Sequence, residues 1–279
     1  MPKIEKTEHH FFRTLFFIIV LLLILTYIYA SYVGNKGLIA KEYDIVNNRI
    51  PVSFNGTRIA HFADILYKKE EDIEFFDNIV QLINSKNVDI IVFSGDLIKE
   101  NYKLDENEIN KIIEKLKELN AKYGKYYVSG KNDKKNQSYD DIMQKSGFIS
   151  LNDSQDTIYN NKKEKIQVIG LNNGSEITTI KELTTDPNVY RIMIFHESDR
   201  FDDLETINFD LALSSNSLNG QINIPGIKEF LMDEGSKTYN KPYYKVENKE
   251  LYITSGIGTK NTDLRLLNKP SINIYKLKN

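Results

Sequence analysis

The chain has 279 residues and a formal net charge of −2 at pH 7. This length allows one large domain or two small ones, and the charge gives no electrostatic reason to expect a nucleic acid as partner. The chain contains no cysteine, which excludes disulfides, thiolate metal ligands and a cysteine nucleophile. Of its four histidines, His9 and His10 precede the hydrophobic segment, which leaves only His61 and His196 for the folded part. We therefore do not expect a histidine-rich catalytic metal site.

The N-terminal part predicts a membrane anchor. Residues 1–14 form a polar flank, and residues 15–33 contain no charged side chain and can span a bilayer as one helix. A cleaved signal peptide is the alternative, because Ala30 and Ser31 are small residues of the kind found at cleavage sites. We favour a retained, single-pass anchor in the cell membrane, with the domain outside the cytoplasm because the preceding flank is short. Residues 34–56 are then expected to form a stalk or entry segment.

Residues 57–279 are predicted to form one domain, with helices concentrated in its first half. Apolar residues recur at helical spacing in residues 70–86 and 105–122, between strands predicted at 57–63, 88–93 and 126–128. The later strands are predicted at residues 148–151, 157–159, 166–171, 190–195, 209–213, 251–257 and 271–277. Alternating strands and helices predict a sheet with helices packed on it.

Polar side chains follow several of these strands, and such groups meet at one edge of an open sheet. They are Asp64, Asp96, the Lys-Asn-Asp segment 131–133, His196 and Asn216. Two carboxylates and an imidazole suit hard or borderline divalent cations. Taken alone, Asp96 could equally cap a turn. His61 precedes Asp64 by three positions, so the strand pleat turns it to the opposite face, and we interpret it as a packing residue.

The order of these segments resembles the calcineurin-like metallophosphoesterases, in the membrane-associated branch typified by the YkuE-like proteins. The family motifs D-x-H, S-G-D-L, G-N-H-D, a strand-ending His and L-S-G-H-T-H-G-G-Q-I-x-x-P align with DIL at 64–66, SGDL at 94–97, GKND at 130–133, His196 and LSSNSLNGQINIP at 213–225. The resemblance covers about residues 57 to 277. It implies an α/β sandwich of two packed mixed β-sheets flanked by helices, here with one N-terminal transmembrane helix.

The resemblance also implies a dinuclear site for Mn, Fe or Zn, from which several ligands are missing here. The implied first-metal positions are Asp64, Leu66 and Leu218, the bridging position is Asp96, and the second-metal positions are Lys131, His196 and Asn216. Leu66 and Leu218 remove two nitrogen ligands from the first metal. We therefore expect Asp64, Asp96, His196 and Asn216 to be vestigial or weak ligands, and the protein could hold no metal at all.

The third motif carries two further departures. Lys131 places an ammonium where the resemblance implies a neutral oxygen ligand, and we expect it to face Asp96 and neutralise that carboxylate together with Asp64. Asn132 stands at the position of the family's catalytic histidine, and an amide cannot act as a general acid or base. A one-residue shift of the alignment would instead put Asn132 in the ligand position.

Three functional hypotheses follow. The first is a membrane-anchored, catalytically impaired pseudo-phosphoesterase that binds a phosphorylated or lipid-linked ligand, or a membrane protein partner. The second is an active metal-dependent phosphoesterase, a hydrolase, with a reduced, mononuclear site. The third is a metal-free scaffold.

Overall fold

The computed structural model describes residues 4–160, 163–184 and 186–279. Its α-helices are α1 (Ile4–Tyr32), α2 (Ile73–Ser85), α3 (Glu106–Lys117), α4 (Tyr139–Lys145) and α5 (Thr178–Lys181). Its strands are β1 (Ile39–Val46), β2 (Arg58–Phe62), β3 (Ile90–Phe93), β4 (Gly124–Tyr127), β5 (Ile149–Ser150), β6 (Ser154–Tyr159), β7 (Lys165–Gly170), β8 (Tyr190–Glu197), β9 (Leu211–Ser215), β10 (Tyr243–Val246), β11 (Lys249–Ile253) and β12 (Ser271–Lys278).

In the described part of the chain, the strands form two six-stranded sheets, in the orders β1-β12-β2-β3-β4-β5 and β10-β11-β9-β8-β7-β6. The first sheet has β2 to β5 parallel and β12 antiparallel to β2. The second has β7, β8, β9 and β11 parallel, with antiparallel β6 and β10 at its edges. Apolar side chains such as Ile59, Val92, Ile192 and Leu213 fill the core between the sheets. The predicted sandwich of two mixed sheets flanked by helices is confirmed.

Helices α2 and α3 connect β2, β3 and β4. Phe76 and Ile83 of α2 are buried in the same core cluster as Leu116 of α3, as the helical spacing of apolar residues predicts. A capping box starts α3, because Asp105 accepts a hydrogen bond from the backbone N of Glu108 and Glu108 accepts one from the backbone N of Asp105. Each helix returns the chain to the start of the next strand, so all three strands end at the same edge.

Residues 39–46 form β1 and lie within the segment predicted to be a stalk. Along its whole length, β1 pairs in parallel with β12. Ile45 is buried in the core between the sheets, and Tyr43 packs against it. The stalk prediction is corrected here. The charged residues Lys41, Glu42 and Asp44 are typical of an exposed edge strand, and they obscured the apolar alternation.

The helix α1 ends directly against the domain. Its segment His10–Tyr32 has a mean hydropathy of 2.5, and the protein buries none of its most apolar window. By length and composition it is a candidate membrane span, although a signal sequence meets the same criterion. At its end, the backbone N of Arg265 donates to the carbonyl of Ala30 at 3.0 Å. Gly34 lies so close to the Arg265 carbonyl that a Cβ there would be 1.8 Å from its oxygen.

Candidate metal centre

The candidate site lies where strands of both sheets end. Asp64 and Asp96 follow β2 and β3 of the first sheet, His196 lies near the end of β8, and Asn216 follows β9 of the second sheet. Because these strands are parallel within each sheet, their carboxyl ends converge at one edge of the sandwich. The structure therefore brings these four predicted residues together, although residues 64 and 216 are far apart in sequence.

The loops at this edge have an unusual backbone. Asp64, Asp96 and Asn216 have φ values of 51°, 58° and 64°, and Leu66 and Leu218 have values of 52° and 50°. This left-handed region is uncommon for residues other than glycine and costs on the order of 1–3 kcal/mol for each such residue. A leucine side chain cannot offset this cost with a local hydrogen bond, as Asp or Asn can. The loops thus keep a constrained shape even where the side chain cannot bind a metal.

Three side chains form a compact group of ligand atoms. The Nε2 atom of His196 lies 3.3 Å from Oδ2 of Asp96 and 4.0 Å from Oδ1 of Asp64. One ligand atom from each residue lies within 4.8 Å of the other two, and all three residues are buried. Oδ1 of Asp64 has no hydrogen-bond partner. Nε2 of His196 has none either, because its 3.3 Å ion-pair contact with Asp96 lacks hydrogen-bond geometry. Leaving a buried polar atom unpaired costs about 1–3 kcal/mol, and a cation among these atoms would remove that cost.

The orientation of the His196 imidazole is set by contacts of its Nδ1 atom. Its Nδ1 lies 2.7 Å from the carbonyl of Ser94, which can only accept, so Nδ1 carries a proton and donates it there. The hydroxyl of Ser215 lies 2.9 Å from the same nitrogen. This arrangement directs Nε2 towards the two carboxylates, as a backbone carbonyl commonly does for a metal-binding histidine. The donor set of two carboxylates and one imidazole fits a divalent cation.

The electrostatics of the group agree with this arrangement. Burial alone would lower the pKa of His196, but the carboxylates of Asp96 and Asp64 outweigh it and raise that pKa to about 9. Burial raises the pKa of Asp64. Burial also opposes the charge on Asp96, but the His196 imidazolium prevails and lowers its pKa. Without a metal, the two carboxylates are thus compensated by a proton on His196, and a divalent cation would take over that role.

Leu66 and Leu218 occupy the implied ligand positions without offering a ligand atom. Both side chains are buried, with exposed fractions of 2% and 1%. Leu218 packs against Gly256, where a Cβ would lie 2.1 Å from Cδ2 of Leu218 and 2.9 Å from Cβ of Asp64. An apolar wall therefore stands beside Asp64 on this side of the group.

The third motif segment holds Asp96 from the other side. The backbone N and the side-chain Nδ2 of Asn132 each donate to a different oxygen of Asp96, both at 2.9 Å. The carboxylate of Asp133 accepts hydrogen bonds from the backbone N atoms of Gly130, Asp96 and Leu97. Asn132 and Asp133 thus fix the loop that carries Asp96.

The sequence predicted that Lys131 faces Asp96, but the structure places its side chain elsewhere. Lys131 is exposed and lines the mouth of the cleft above Asp96. Asn132 has taken both oxygens of Asp96, which leaves the side chain of Lys131 at the surface. The prediction that Lys131 neutralises the site is therefore corrected.

A cation that acts on the site is Lys260, which was not predicted from the sequence. Its ammonium donates to Oδ1 of Asn216 and lies 3.3 Å from Oδ2 of Asp233. Its charge also favours the ionised forms of Asp64 and Asp96. The backbone of Lys260 is held from both sides, by the side chains of Gln221 and Lys99. Lys260 follows β11 in a loop that no predicted motif includes, so spacing gave no signal for it.

Asn216 has both ends of its amide engaged. Its oxygen accepts from Lys260, and its Nδ2 donates to the carbonyl of Glu234 at 3.3 Å. The backbone N of Asn216 also donates to Oδ2 of Asp64 at 3.2 Å. The residue is part of the site, but its side-chain oxygen binds an ammonium.

His61 does more than pack. Its Nε2 lies 2.7 Å from the hydroxyl of Ser94, which lies 3.0 Å from the hydroxyl of Ser215. Ser215 in turn contacts Nδ1 of His196. Burial lowers the pKa of His61 to about 3, so the residue is neutral at physiological pH. The strand pleat predicted only a packing role for His61, and this buried chain of hydrogen bonds to His196 was not predicted.

A cleft of about 330 Å³ opens above Asp96. Lys99, Lys131 and Lys260 line it together with the amides of Asn132 and Asn216. The acidic residues Asp96, Glu100, Asp233 and Glu234 line it as well. Several cationic and amide side chains beside a candidate metal position can receive an anion of phosphate size.

A family model for the calcineurin-like phosphoesterases matches residues 57–248. The chain belongs to this family. It is 27% identical over 262 residues to the uncharacterized metallophosphoesterase YkuE of Bacillus subtilis (strain 168), a match that covers 90% of each chain. It is 22% identical over 214 residues to the uncharacterized metallophosphoesterase YkoQ of the same organism, covering 72% of this chain and 77% of YkoQ.

Among solved structures, the chain is similar to the NAD nucleotidase of Haemophilus influenzae, with a TM-score of 0.42 and 12% identity. That match covers 71% of this chain and 44% of the nucleotidase. The family assignment confirms the resemblance found in the sequence motifs. A calcineurin-like phosphoesterase with Asp64, Asp96 and His196 in contact keeps a group able to hold one metal ion.

Proposed function

We propose that this chain is a membrane-anchored member of the calcineurin-like phosphoesterase family that binds one divalent cation and, beside it, a phosphorylated ligand. We further propose that it has lost the dinuclear hydrolysis implied for its family. The observation that carries the proposal is the convergence of Asp64, Asp96 and His196 with two buried ligand atoms unpaired.

The residues around the group have separate tasks in this proposal. Asp64, Asp96 and His196 would hold the cation, which when bound would polarise a phosphoryl oxygen. Lys260 lies beside the group with its ammonium held by Asn216 and supplies a fixed positive charge for the phosphate. Ser94 and Ser215 keep the imidazole of His196 in its orientation.

Two features of the site argue against efficient hydrolysis. Leu66 and Leu218 remove two ligands from the implied first metal. Asn132 replaces the implied catalytic histidine, and both of its contacts with Asp96 are hydrogen bonds from nitrogen. An amide neither gives nor takes a proton near neutral pH, so no group at this position can protonate a leaving oxygen.

A second candidate is a hydrolase with a single metal. It is favoured by the number of protein ligands, because catalytic metal ions commonly have three and keep a further position for water or substrate. Asp64, Asp96 and His196 supply that number.

Metal analysis and activity on the full chain in detergent separate these candidates. The proposal predicts about one Mn²⁺ per chain by elemental analysis, tighter binding of inorganic phosphate when Mn²⁺ is present, and no Mn²⁺-dependent cleavage of bis(p-nitrophenyl) phosphate. Cleavage that Asp96→Asn abolishes would select the single-metal hydrolase. If millimolar Mn²⁺, Fe²⁺ or Zn²⁺ neither binds nor changes thermal stability, both candidates fail and the metal-free scaffold is left.

The membrane anchor is part of the proposal. Its support is the exposed apolar surface of α1 and the direct contact between Ala30 and Arg265, which ties the helix to the folded domain. We propose a single pass through the cell membrane with the domain outside the cytoplasm. Intact-mass analysis of the protein from washed membranes tests this, because an uncleaved chain in the membrane fraction supports the anchor. A chain that lacks its first 30 or so residues would show a signal peptide instead.

A further inference from the structure

Exposed apolar side chains lie on the segments that follow Asn216 and Lys260. We call Ile227, Phe230, Leu231 and Leu267 the apolar rim. Their exposed fractions are 48%, 88%, 48% and 67%, and Phe230 is the most exposed large apolar side chain among the described residues outside α1. Large apolar side chains exposed to this extent are typical of a surface that contacts another molecule or a membrane.

The segments that carry the apolar rim are connected to the end of α1 through Leu266 and Arg265. Ile222 and Leu266 form a β-bridge, which ties the segment before Ile227 to the segment that contains Leu267. In that second segment, Arg265 donates to Ala30 of α1. Ala30 lies inside the apolar span, so these loops reach the level at which α1 would leave the bilayer.

A cavity of about 590 Å³ lies at the end of α1. Tyr27 and Tyr32 of α1 line it together with Leu264, Lys68 and Lys69. Asp72 and Asp263 line it as well, and Lys68 pairs with Asp263. Leu66 also lines this cavity, and it lines the cleft above Asp96 as well. Aromatic side chains at the level of the membrane surface, with lysines next to them, are typical of contact with anionic lipid headgroups.

We infer that the apolar rim inserts into the same bilayer that α1 spans, and that the phosphate bound at the site belongs to a membrane lipid. The ligand is then an anionic phospholipid whose headgroup phosphate enters the cleft beside Lys260, while its apolar part lies in the cavity next to Tyr27, Leu66 and Leu264. The lipid assignment rests on the proposed phosphate binding, and the insertion of the rim rests on the proposed membrane anchor. We name the bilayer as the partner of the rim because the apolar span of α1 ends at Tyr32. Ala30 near that end is hydrogen-bonded to Arg265, in the segment that contains Leu267.

The insertion is tested with a tryptophan probe, because the chain contains no tryptophan. The full chain with Phe230→Trp is reconstituted into phosphatidylcholine vesicles with and without brominated acyl chains, which quench fluorescence at short range. We expect strong quenching and a blue-shifted emission. The control is Tyr159→Trp on the edge strand β6, a position with 60% exposure, where we expect no quenching. Equal fluorescence of Phe230→Trp in both kinds of vesicle would refute the insertion.

The ligand is tested in nanodiscs that contain the full chain and Mn²⁺. Phosphatidic acid in the disc should raise the melting temperature by about 5–10 °C at saturation, and Asp96→Asn should remove the shift. Stabilisation by free glycerol 3-phosphate but not by phosphatidic acid would refute the lipid ligand and leave the proposed function intact. Absence of Mn²⁺ binding would refute the proposed function itself, while the quenching result would still decide the insertion of the rim.

Discussion

Replacing Lys260 with methionine should change metal binding and phosphate binding in opposite directions. The side chain of Lys260 is 17% exposed, and its ammonium donates to Asn216 and lies 3.3 Å from Asp233. Lys260→Met keeps most of the apolar stem but removes the charge. A hydrogen bond from a charged donor to a phosphate contributes about 1.5–3 kcal/mol, so affinity for phosphate should fall by about ten- to 150-fold.

Metal affinity should rise in the same variant. A unit charge and a divalent ion about 10 Å apart repel by roughly 3 kcal/mol at an effective dielectric constant of about 20, before salt reduces the effect. We therefore expect Mn²⁺ to bind Lys260→Met about ten- to 100-fold more tightly than the wild type. Isothermal titration of the full chain with Mn²⁺, followed by titration with phosphate at saturating Mn²⁺, measures both changes.

Lys131→Met is the matched control, because Lys131 lines the same cleft but is exposed. It should change either affinity by less than about threefold, since solvent screens an exposed charge. If Lys131→Met produced the opposed changes and Lys260→Met did not, the charge assignment made from the structure would be wrong. A parallel loss of both affinities in Lys260→Met would point to a disrupted loop.

Four further changes have defined outcomes. Leu66→His combined with Leu218→His should raise Mn²⁺ affinity at least about tenfold in the same titration, and unchanged affinity would show that these loops do not face the metal. His61→Gln should make the free energy of unfolding depend less on pH in acid. The pKa of His61 is about 3 in the folded protein and 6.5 in the unfolded chain, so wild-type stability falls by up to about 1.4 kcal/mol per pH unit between these values. Equal pH dependence of the two proteins in denaturant titrations would contradict this. Gly34→Val should loosen the junction with Arg265 and speed proteolysis between α1 and β1, because even a Cβ would lie 1.8 Å from the Arg265 oxygen. Asp133→Asn should lower the free energy of unfolding by about 3 kcal/mol, since it loses one of the oxygens that accept from three backbone N atoms, and a loss under 1 kcal/mol would exclude this role.

Most of the fold could be predicted from the sequence because its signals are local. The apolar spacing of α2 and α3 and the buried run before Asp96 each lie within one short segment. The convergence of Asp64, Asp96 and His196 followed from the rule that parallel strands present their ends at one edge. The strand topology brings these three residues into contact, and the alternation of strands and helices in the sequence already indicated that topology.

The parts that could not be predicted depend on contacts between distant segments. Lys260 reaches the site because Gln221 and Lys99 hold its loop, and no spacing rule connects those residues. Lys131 was assigned to the site from its place in the third motif, yet the two hydrogen bonds of Asn132 decide which side chain faces Asp96. Motif position therefore fixed where the loop runs, while hydrogen bonding decided which of its side chains points inward.

The left-handed backbone at Leu66 and Leu218 has a consequence for how a metal ion could regulate this protein. The loop is shaped by the chain itself, since the backbone N of Leu66 donates to the carbonyl of Asp96 and the carbonyl of Asp64 accepts from Ile257 and Gly258. The ligand atoms are thus in position before any cation arrives, and binding would alter the local charge while the loops keep their conformation. A partner or lipid that distinguishes the loaded from the empty protein would have to sense an electric field instead of a movement.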